Sequence, residues 1–341
     1  MAKIKVAING LGRIGRAFLK VAALHEQIEV VAVNDLGDIN NFAYLLKYDS
    51  AYGRSGLDVK AEGSNLIING QTIKFLSEKD PSKLPWKDLA VDVVVESTGV
   101  FDSYEKSKAH LDAGARKVVI SSPVKGEPVA GITTAMVLLG INDDKLATCQ
   151  ISSNASCTTN CVAPVIQVLK ETIGVKKAIL NTTHAYTATQ KVVDSPDAKD
   201  FRRGRAAAVN MSPSTTGAAK AVGEVIPEMK GLFDGIAVRV PTITVSLSDI
   251  TFIAGRDTTV EEVNEILTKA SKDPRWQKQL AVTNEPLVST DLIGDTHAST
   301  VALDMTRVVG GDLVKVLSWY DNEIGYTNTL VQHVIKAGQQ L

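Results

Sequence analysis

Short, continuously apolar runs alternate with amphipathic stretches through the first half of the chain. The apolar runs at residues 4–8, 28–33, 91–95 and 118–120 have the length of buried β-strands. Residues 103–113, between the last two runs, have the pattern of a helix. Continuous apolar strands separated by helices indicate a parallel sheet that is covered on both faces, so we predict an α/β domain here.

The pattern changes in the second half of the chain. Residues 243–248 alternate between apolar and polar side chains, and residues 314–319 predict a similar strand, as expected for a sheet with one face in water. We therefore predict a second, α+β domain at residues 157–322 with a mostly antiparallel sheet. The first domain is expected at residues 1–156, and an amphipathic helix within residues 323–341 is expected to pack back on it.

Composition and charge argue against several classes of protein. The length of 341 residues is long for one hydrophobic core, which agrees with two domains, and 44% hydrophobic with 22% charged residues is typical of globular proteins. The formal net charge of −1 gives no general attraction to nucleic acid or to an anionic membrane. No apolar run approaches membrane-spanning length. Three cysteines and no export signal lead us to expect a cytoplasmic protein.

A glycine-rich turn follows the first predicted strand. Gly10, Gly12 and Gly15 have G-x-G-x-x-G spacing at the start of a helix, and Asp35 follows at the end of the next strand. In this context the pattern favours a Rossmann dinucleotide site over a plain turn, with pyrophosphate at the helix N-terminus and a carboxylate on the adenosine ribose. Asp35 favours NAD, because a carboxylate repels the 2′-phosphate of NADP. Residues 97–99 either line the same crevice or form a plain turn.

Cys157 lies at the predicted start of a helix, directly after a short strand predicted at residues 148–151. A cysteine there faces unpaired backbone N–H groups and the positive end of the helix dipole, so we expect a lowered pKa and a thiolate. An isolated cysteine is usually a small core residue, but the polar residues 158–160 argue against that here. We predict that Cys157 is a nucleophile, whereas Cys149, in the strand, and Cys161 are predicted core residues.

Other polar groups in the second half can complete such a site. His184 follows a strand predicted at residues 178–180, and it is either structural or a general acid/base for the cysteine. Arg239 interrupts an apolar strand and needs an anion, either a protein carboxylate or a substrate phosphate. Residues 214–217 are either an ordinary helix cap or a phosphate site. The basic residues 202–205 are explained by a solvated loop or a small anion site.

Together these segments resemble the phosphorylating, NAD-type glyceraldehyde-3-phosphate dehydrogenases of glycolysis, essentially from end to end. The landmarks are the segments 8–16, 153–161, 184–190, 239–242 and 319–323. The cysteine segment is highly specific, and the others are specific in combination. The resemblance implies an NAD-binding Rossmann domain and a catalytic domain, no metal, and a homotetramer.

The resemblance also implies a reaction. Cys157 would attack the aldehyde of glyceraldehyde 3-phosphate while His184 takes its proton, and the thiohemiacetal would deliver hydride to NAD. Inorganic phosphate would then attack the thioester and release 1,3-bisphosphoglycerate. In the tetramer, residues 186–209 would reach the cofactor of a neighbouring subunit.

The resemblance assigns ligand contacts to individual positions. The substrate's own phosphate would bind Thr187 and Arg239, with Arg203. The inorganic phosphate would bind Ser156, Thr158, Thr216 and Gly217. The cofactor contacts, besides the three glycines, would be Arg13, Ile14, Asp35, Thr98 and Ser121, with Asn322 holding the nicotinamide carboxamide and Tyr326 near the ring.

Three positions depart from the family pattern. Ile324 stands where the family usually carries tryptophan near the nicotinamide, and Thr183 stands where valine is commoner. Ser195, beside Pro196 of the NAD-preferring pattern, is small and polar and would tolerate a 2′-phosphate better.

Other functions remain as alternatives. Erythrose-4-phosphate dehydrogenase shares the cofactor and cysteine segments but hydrolyses its thioester, and Thr187 and Thr189 resemble the glycolytic enzyme more closely. An aspartate-semialdehyde-type dehydrogenase would need a carboxylate clamp, a pattern the chain lacks. An RNA-binding or interaction protein that uses the dinucleotide crevice is disfavoured by the net charge.

Overall fold

The protein divides into two units, and the computed structural model describes its residues 3–124, 126–198 and 200–341. The first unit comprises Met1–Ala155 together with Thr327–Leu341, and the second comprises Ser156–Tyr326. In the described part of the chain, no helix is both long enough and apolar enough to cross a membrane.

A nine-stranded sheet with helices forms the first unit. The elements, in chain order, are β1 (Ile4–Asn9), α1 (Arg13–Ala22), β2 (Ile28–Asn34), α2 (Ile39–Lys47), β3 (Tyr48–Asp49), β4 (Gly53–Arg54), β5 (Val59–Glu62), β6 (Asn65–Ile68), β7 (Gln71–Leu76), β8 (Val93–Glu96), α3 (Tyr104–Asp112), β9 (Lys117–Ile120), β10 (Thr134–Met136) and β11 (Ile151–Ser153). The sheet order is β10-β11-β9-β8-β1-β2-β7-β6-β5, and β3 pairs with β4 separately.

The predicted parallel sheet is confirmed, because the strands from β10 through β7 run parallel. At one edge of the sheet, β6 runs antiparallel to both of its neighbours, β7 and β5. Val93, Val94 and Val95 in the middle of the sheet are fully buried, as a strand covered on both faces requires. The helix predicted at residues 103–113 is α3, and the Ser103 side chain caps it by accepting a hydrogen bond from the Lys106 N–H.

The strand predicted at residues 148–151 is wrong in its bounds. A short 3₁₀-helix at Asp143–Ala147 occupies the preceding residues, so the strand β11 begins only at Ile151. Cys149 therefore lies outside any strand, although it is buried as predicted.

The second unit contains a mixed, mostly antiparallel sheet. Its elements are α4 (Cys157–Thr172), β12 (Val175–Ala185), β13 (Ser212–Thr215), α5 (Ala218–Val225), β14 (Phe233–Val240), β15 (Ser246–Ala254), α6 (Val260–Ala270), β16 (Leu280–Thr283), β17 (Ser299–Val309), β18 (Leu313–Tyr320) and α7 (Ile324–Gly338), whose residues from Thr327 onward belong to the first unit. The order is β13-β14-β12-β15-β18-β17-β16.

The predicted α+β character of this unit is confirmed, with two exceptions in strand direction. β12 runs parallel to β14, and β16 runs parallel to β17, whereas the other neighbours are antiparallel. The strand predicted at residues 243–248 begins only at Ser246, because Val245 has a φ of 68°, outside the β region. From there, buried and partly exposed residues alternate along β15.

His333 in α7 is a fully buried histidine of the first unit. Its Nε2 lies 2.8 Å from the Ser152 hydroxyl, and its Nδ1 lies 3.1 Å from the Asn154 side-chain oxygen. Burial lowers the pKa of His333 to about 3, because the charged imidazolium would lose its hydration.

We expect His333 to make the folded state sensitive to acid. Its pKa is lower in the folded chain than the ordinary unfolded value, so the unfolded state binds the proton more readily. The stabilisation is complete above that ordinary value and is lost as the pH falls towards about 3. His333→Gln should reduce the pH slope of the unfolding free energy between pH 6 and 4 by about 1.4 kcal/mol per pH unit, measured by denaturant titration. His25→Gln, at a partly exposed site, is the control, and an unchanged slope in His333→Gln would contradict the assignment.

Candidate active site

Strand register places His184 beside Arg239. β12 continues to Ala185, so the prediction that His184 follows the strand is wrong: it lies within β12, which is paired on one side with β14 and on the other with β15. In the parallel pairing of β12 with β14, His184 is the direct partner of Arg239. His184 is 3% exposed.

Cys157 is the first residue of α4, and the Ser156 side chain caps this helix by accepting a hydrogen bond from the Thr159 N–H at 3.1 Å. The Cys157 Sγ lies 3.5 Å from the His184 Nε2. A nucleophile and a potential proton acceptor, 27 residues apart in the chain, are thus brought into direct contact.

Burial is the largest influence on the acidity of Cys157. It raises the pKa of the Cys157 thiol, and the Arg239 charge and hydrogen bonds with Thr158 offset only part of this rise. The prediction that the helix N-terminus alone makes a thiolate is therefore wrong. The thiol needs a proton acceptor at the moment it attacks, and the one in contact with it is His184.

His184 is a neutral base, but its second nitrogen has two competing neighbours. Burial and the Arg239 charge lower the pKa of His184 to about 3. The Nδ1 lies 2.7 Å from the Ala185 carbonyl oxygen and 2.6 Å from an Arg239 guanidinium nitrogen. A carbonyl only accepts and a guanidinium only donates, so the two contacts require opposite tautomers. Only the tautomer that donates to Ala185 leaves Nε2 free to take the thiol proton.

The polar residues after Cys157 are buried, contrary to the expectation that they would fit poorly in a core. Thr158, Thr159 and Asn160 are all at most 5% exposed. The Thr159 hydroxyl lies 2.7 Å from the Ser156 hydroxyl, and the Asn160 amide donates to the Ser156 carbonyl at 3.0 Å. Their polar groups are therefore satisfied inside the protein, which makes burial acceptable.

Tyr320 is a site residue that the sequence reasoning missed. Its hydroxyl lies 2.9 Å from the Thr158 hydroxyl and 2.8 Å from that of Thr182, and its ring packs edge-on against His184. The segment 319–323 is a landmark of the resemblance, and a tyrosine inside it was the available signal. Tyr320 holds one face of the imidazole in place.

Arg239 and Arg203 line one small cavity in the second unit. Its other lining residues include Thr189, Gln190, Ser212 and Ser214. Among the described residues, no carboxylate forms an ion pair with Arg239, so the protein carboxylate offered as its partner is absent from this part of the chain. With Arg202, three arginines line this cavity together with several hydroxyls and no acidic residue, which favours an anionic ligand. Thr187 lies next to this cavity, with its hydroxyl 3.0 Å from that of Thr189.

The remaining predicted phosphate residues lie at the start of α5. Gly217 is the N-cap and is exposed, and the Thr216 hydroxyl accepts a hydrogen bond from the Ala218 N–H at 3.2 Å. The N-cap Gly217 itself provides no side-chain hydrogen bond to α5, so the bond from Ala218 is a local turn contact and the ordinary N-cap offered as the alternative is not found. The start of a helix can bind an anion through its first N–H groups.

The glycine-rich turn in the first unit leaves room for a dinucleotide. Gly10 has a φ of 97°, and a Cβ there would lie 2.7 Å from the Thr98 nitrogen, while a Cβ on Gly15 would collide with the Gly10 carbonyl. Gly12, at the N-cap of α1, is different, because a Cβ there would project into open space. The first turn of α1 carries no acidic residue. This open cradle at a helix N-terminus fits a pyrophosphate.

The other predicted cofactor residues are distributed over both units. The Asp35 carboxylate follows β2 and accepts hydrogen bonds from the Leu11 N–H at 2.7 Å and the Gly37 N–H at 3.0 Å. The Arg13 guanidinium pairs with Asp49 at 2.7 Å. Ile14 is partly exposed on α1, while Thr98 and Ser121 follow β8 and β9. In the second unit, Asn322 accepts a hydrogen bond from the Ser246 hydroxyl at 3.1 Å, and Tyr326 is buried.

These two sites are typical of one class of protein, the dinucleotide-dependent dehydrogenases, because they combine a glycine turn that fits a pyrophosphate with a cysteine in contact with a histidine. Among the described residues, no cluster of three or more His, Cys, Asp or Glu side chains could hold a metal ion.

Comparison with known proteins gives the family. Residues 4–104 match the model of the NAD-binding domain of glyceraldehyde 3-phosphate dehydrogenase, and residues 156–322 match the model of its C-terminal domain. The chain is 48% identical to glyceraldehyde-3-phosphate dehydrogenase of Geobacillus stearothermophilus, over 96% of each chain. It is 46% identical to glyceraldehyde-3-phosphate dehydrogenase 1 of Trichoderma koningii, over 97% of this chain and 96% of that one.

The chain belongs to the glyceraldehyde-3-phosphate dehydrogenase family. It is accordingly an NAD-dependent oxidoreductase of glycolysis that oxidises glyceraldehyde 3-phosphate to an acyl phosphate.

We expect an alkylating reagent to distinguish the three cysteines. Cys157 is partly exposed, whereas Cys149 and Cys161 are buried and burial raises the pKa of Cys161 to about 11. Iodoacetamide should therefore modify Cys157 at least about tenfold faster than the other two, as followed by peptide mass spectrometry. Cys161→Ser is the control and should leave the fast phase intact. Early labelling of Cys149 or Cys161 would contradict the burial pattern.

Proposed function

We propose that Cys157 and His184 carry out the oxidation as a nucleophile and a base. The supporting observation is the 3.5 Å contact between the Cys157 Sγ and the His184 Nε2. As the sulfur bonds to the aldehyde carbon of glyceraldehyde 3-phosphate, its proton passes to His184. His184 then returns this proton to the former carbonyl oxygen, which gives the thiohemiacetal, and is again free to accept the hydroxyl proton as the carbon is oxidised. NAD, held by the residues named below, would supply the hydride acceptor, and a thioester on Cys157 remains. Inorganic phosphate then displaces the sulfur and forms 1,3-bisphosphoglycerate.

The substrate's own phosphate is proposed to bind Arg239 and Arg203, with Thr187 beside them. The cavity that the two arginines share with serine and threonine hydroxyls supports this assignment. Binding of the substrate phosphate to Arg239 would also affect the tautomer of His184. An anion that attracts the Arg239 guanidinium removes the donor that competes for the His184 Nδ1, so the imidazole donates to Ala185 and frees Nε2. Substrate binding would thus make His184 competent to accept the thiol proton.

Inorganic phosphate is proposed to bind at Ser156, Thr158, Thr216 and Gly217. Two helix N-termini support this assignment, since these residues lie at the starts of α4 and α5. The Thr158 hydroxyl already bonds to Tyr320, but a hydroxyl has one donor and two acceptor sites and can take a second partner.

The NAD contacts are proposed for the residues on the glycine turn and its neighbours. Pyrophosphate would lie at Gly10, Gly12, Arg13, Ile14 and Gly15. The remaining contacts would come from Asp35 at the adenosine ribose, Thr98, Ser121, Asn322 at the carboxamide, and Tyr326.

A homotetramer in the cytoplasm completes the proposal. The segment of residues 186–209, proposed to reach a neighbouring subunit, exposes large apolar side chains: Val192 is 83% and Phe201 is 88% exposed. Exposed apolar residues in such density mark an interaction surface. Lys199, inside this segment, lies outside the described residues.

The mechanism is tested by following NADH formation from glyceraldehyde 3-phosphate. With inorganic phosphate we expect sustained turnover, and without it a single burst, because the thioester accumulates. Cys157→Ala should abolish NADH formation while retaining NAD binding, and His184→Asn should slow the burst about 10²–10⁴-fold. Sustained turnover without phosphate, or faster oxidation of erythrose 4-phosphate, would favour the alternative enzyme. Equal rates with NADP would contradict the role of Asp35.

The proposed effect of Arg239 on the base is tested with a substrate that lacks the phosphate. In single turnover with glyceraldehyde, added phosphite dianion should accelerate the NADH burst of the wild-type enzyme about tenfold or more, because it occupies the anion site. Arg239→Met should show no acceleration. Arg205→Met, which removes an exposed arginine paired with Asp194, should behave like the wild type. Absence of activation in the wild-type enzyme would refute the coupling.

A further inference from the structure

Glu96 is a buried carboxylate that the reaction does not use. It ends β8, is 2% exposed, and forms no ion pair with any lysine or arginine of the described residues. A carboxylate buried without a cation is costly unless hydrogen bonds saturate both oxygens. The burial of Glu96 therefore depends on the groups that donate hydrogen bonds to its two oxygens and on whether the direction of each donation is fixed.

The first donor is a histidine whose tautomer is set by a tryptophan. The Trp86 indole N–H lies 3.0 Å from the His110 Nδ1, and an indole nitrogen only donates. His110 Nδ1 must therefore accept, so the proton of this neutral ring is on Nε2. That nitrogen lies 3.0 Å from the Glu96 Oε2 and donates to it.

The second donor is an asparagine whose orientation is set by the backbone. The Glu78 N–H donates to the Asn34 side-chain oxygen at 2.8 Å, which turns the Asn34 amide nitrogen towards the Asn9 side-chain oxygen at 2.7 Å. The Asn9 amide nitrogen in turn lies 2.6 Å from the Glu96 Oε2. Both chains of hydrogen bonds therefore run in one direction and end on the same carboxylate oxygen.

The other oxygen of Glu96 holds the turn that follows β8. The Thr98 N–H donates to Oε1 at 2.8 Å, and the Thr98 hydroxyl donates to it at 2.5 Å. The adjacent Ser97 hydroxyl donates to the Gly10 carbonyl at 2.8 Å. Since a Cβ on Gly10 would lie 2.7 Å from the Thr98 nitrogen, this turn is in close contact with the glycine-rich turn.

We propose that Glu96 and His110 are positioning residues of the NAD site. They fix the turn of residues 97–100 against the glycine-rich turn before the cofactor arrives. The cost of ordering these two turns is then met in folding rather than in binding, which strengthens cofactor affinity. Both side-chain oxygens at position 96 must accept hydrogen bonds. An amide, which has one acceptor and one donor, is therefore not equivalent to a carboxylate there. This inference rests on the proposed NAD contacts of the glycine-rich turn.

The test exchanges the carboxylate at position 96 and the amide at position 9. Glu96→Gln turns one acceptor into a donor that faces the fixed donors of Asn9 and His110. We expect the Kd for NAD, measured by calorimetry on the intact enzyme, to rise at least about tenfold, with a smaller fall in kcat at saturating NAD. The double variant Asn9→Asp/Glu96→Gln should recover most of this affinity. Its new carboxylate at position 9 can accept from the new amide and from His110, whose Nε2 lies 3.4 Å from the present Asn9 nitrogen.

Two controls separate positioning from general stability. Glu105→Gln removes an exposed carboxylate on the same helix as His110 and should leave the Kd for NAD unchanged. Asn9→Asp alone places two carboxylates together and should bind NAD more weakly than the double variant. The proposal is overturned if Glu96→Gln lowers the melting temperature but binds NAD with wild-type affinity. It is also overturned if the double variant binds no more tightly than Glu96→Gln. Failure of the wild-type enzyme to bind NAD would instead contradict the proposed function.

Discussion

The alignment of β12 with β14 is the constraint on which the reactive end of this enzyme depends. This register makes His184 and Arg239 direct neighbours, and the capped start of α4 brings the Cys157 sulfur to the other side of the same imidazole. The imidazole of His184 thus lies between the Cys157 thiol and the Arg239 guanidinium. A slip of one residue in the strand pairing would turn one of these side chains to the opposite face of the sheet. The relative position of these three side chains therefore depends on the backbone hydrogen bonds of the sheet.

Much of this arrangement could be predicted from local sequence, for reasons that particular residues make clear. Gly10 and Gly15 are required by close backbone contacts, and a strand before them and a helix after them complete the pattern. By contrast, the acidity of Cys157 depends on burial by segments far away in the chain, and helix position alone gave the wrong direction. Tyr320 was missed for the same reason, since its partners Thr158 and Thr182 are distant in sequence. The bounds of β12 depend on its pairing with neighbouring strands, and β15 begins only after Val245, whose φ is positive. The alternation of apolar and polar residues in the sequence shows neither of these features.

Each unit contains a buried polar network that ends beside one of the proposed sites. In the first unit, donors fixed by Trp86 and by the Glu78 backbone converge on Glu96, next to the glycine-rich turn. In the second unit, Tyr320 joins Thr158, at the start of α4, to Thr182. Fully satisfied networks of this kind make a site rigid, and in the first unit the direction of donation towards Glu96 is fixed as well. They also make substitutions of similar shape damaging when the direction of donation changes.

At Gly12, the requirements of folding can be distinguished from the requirements of ligand binding, although the two usually act together. Its backbone, with a φ of −62°, is one that any L-residue adopts, and a Cβ there would meet no protein atom. An alanine at this position would therefore clash with no protein atom, while the space that a nucleotide would enter becomes smaller. A variant library scored by cellular abundance would record such a change as silent, whereas the same library scored by carbon flux would record it as a loss. With the proposed NAD contact, the steric constraint at this position comes from the ligand and not from neighbouring protein atoms.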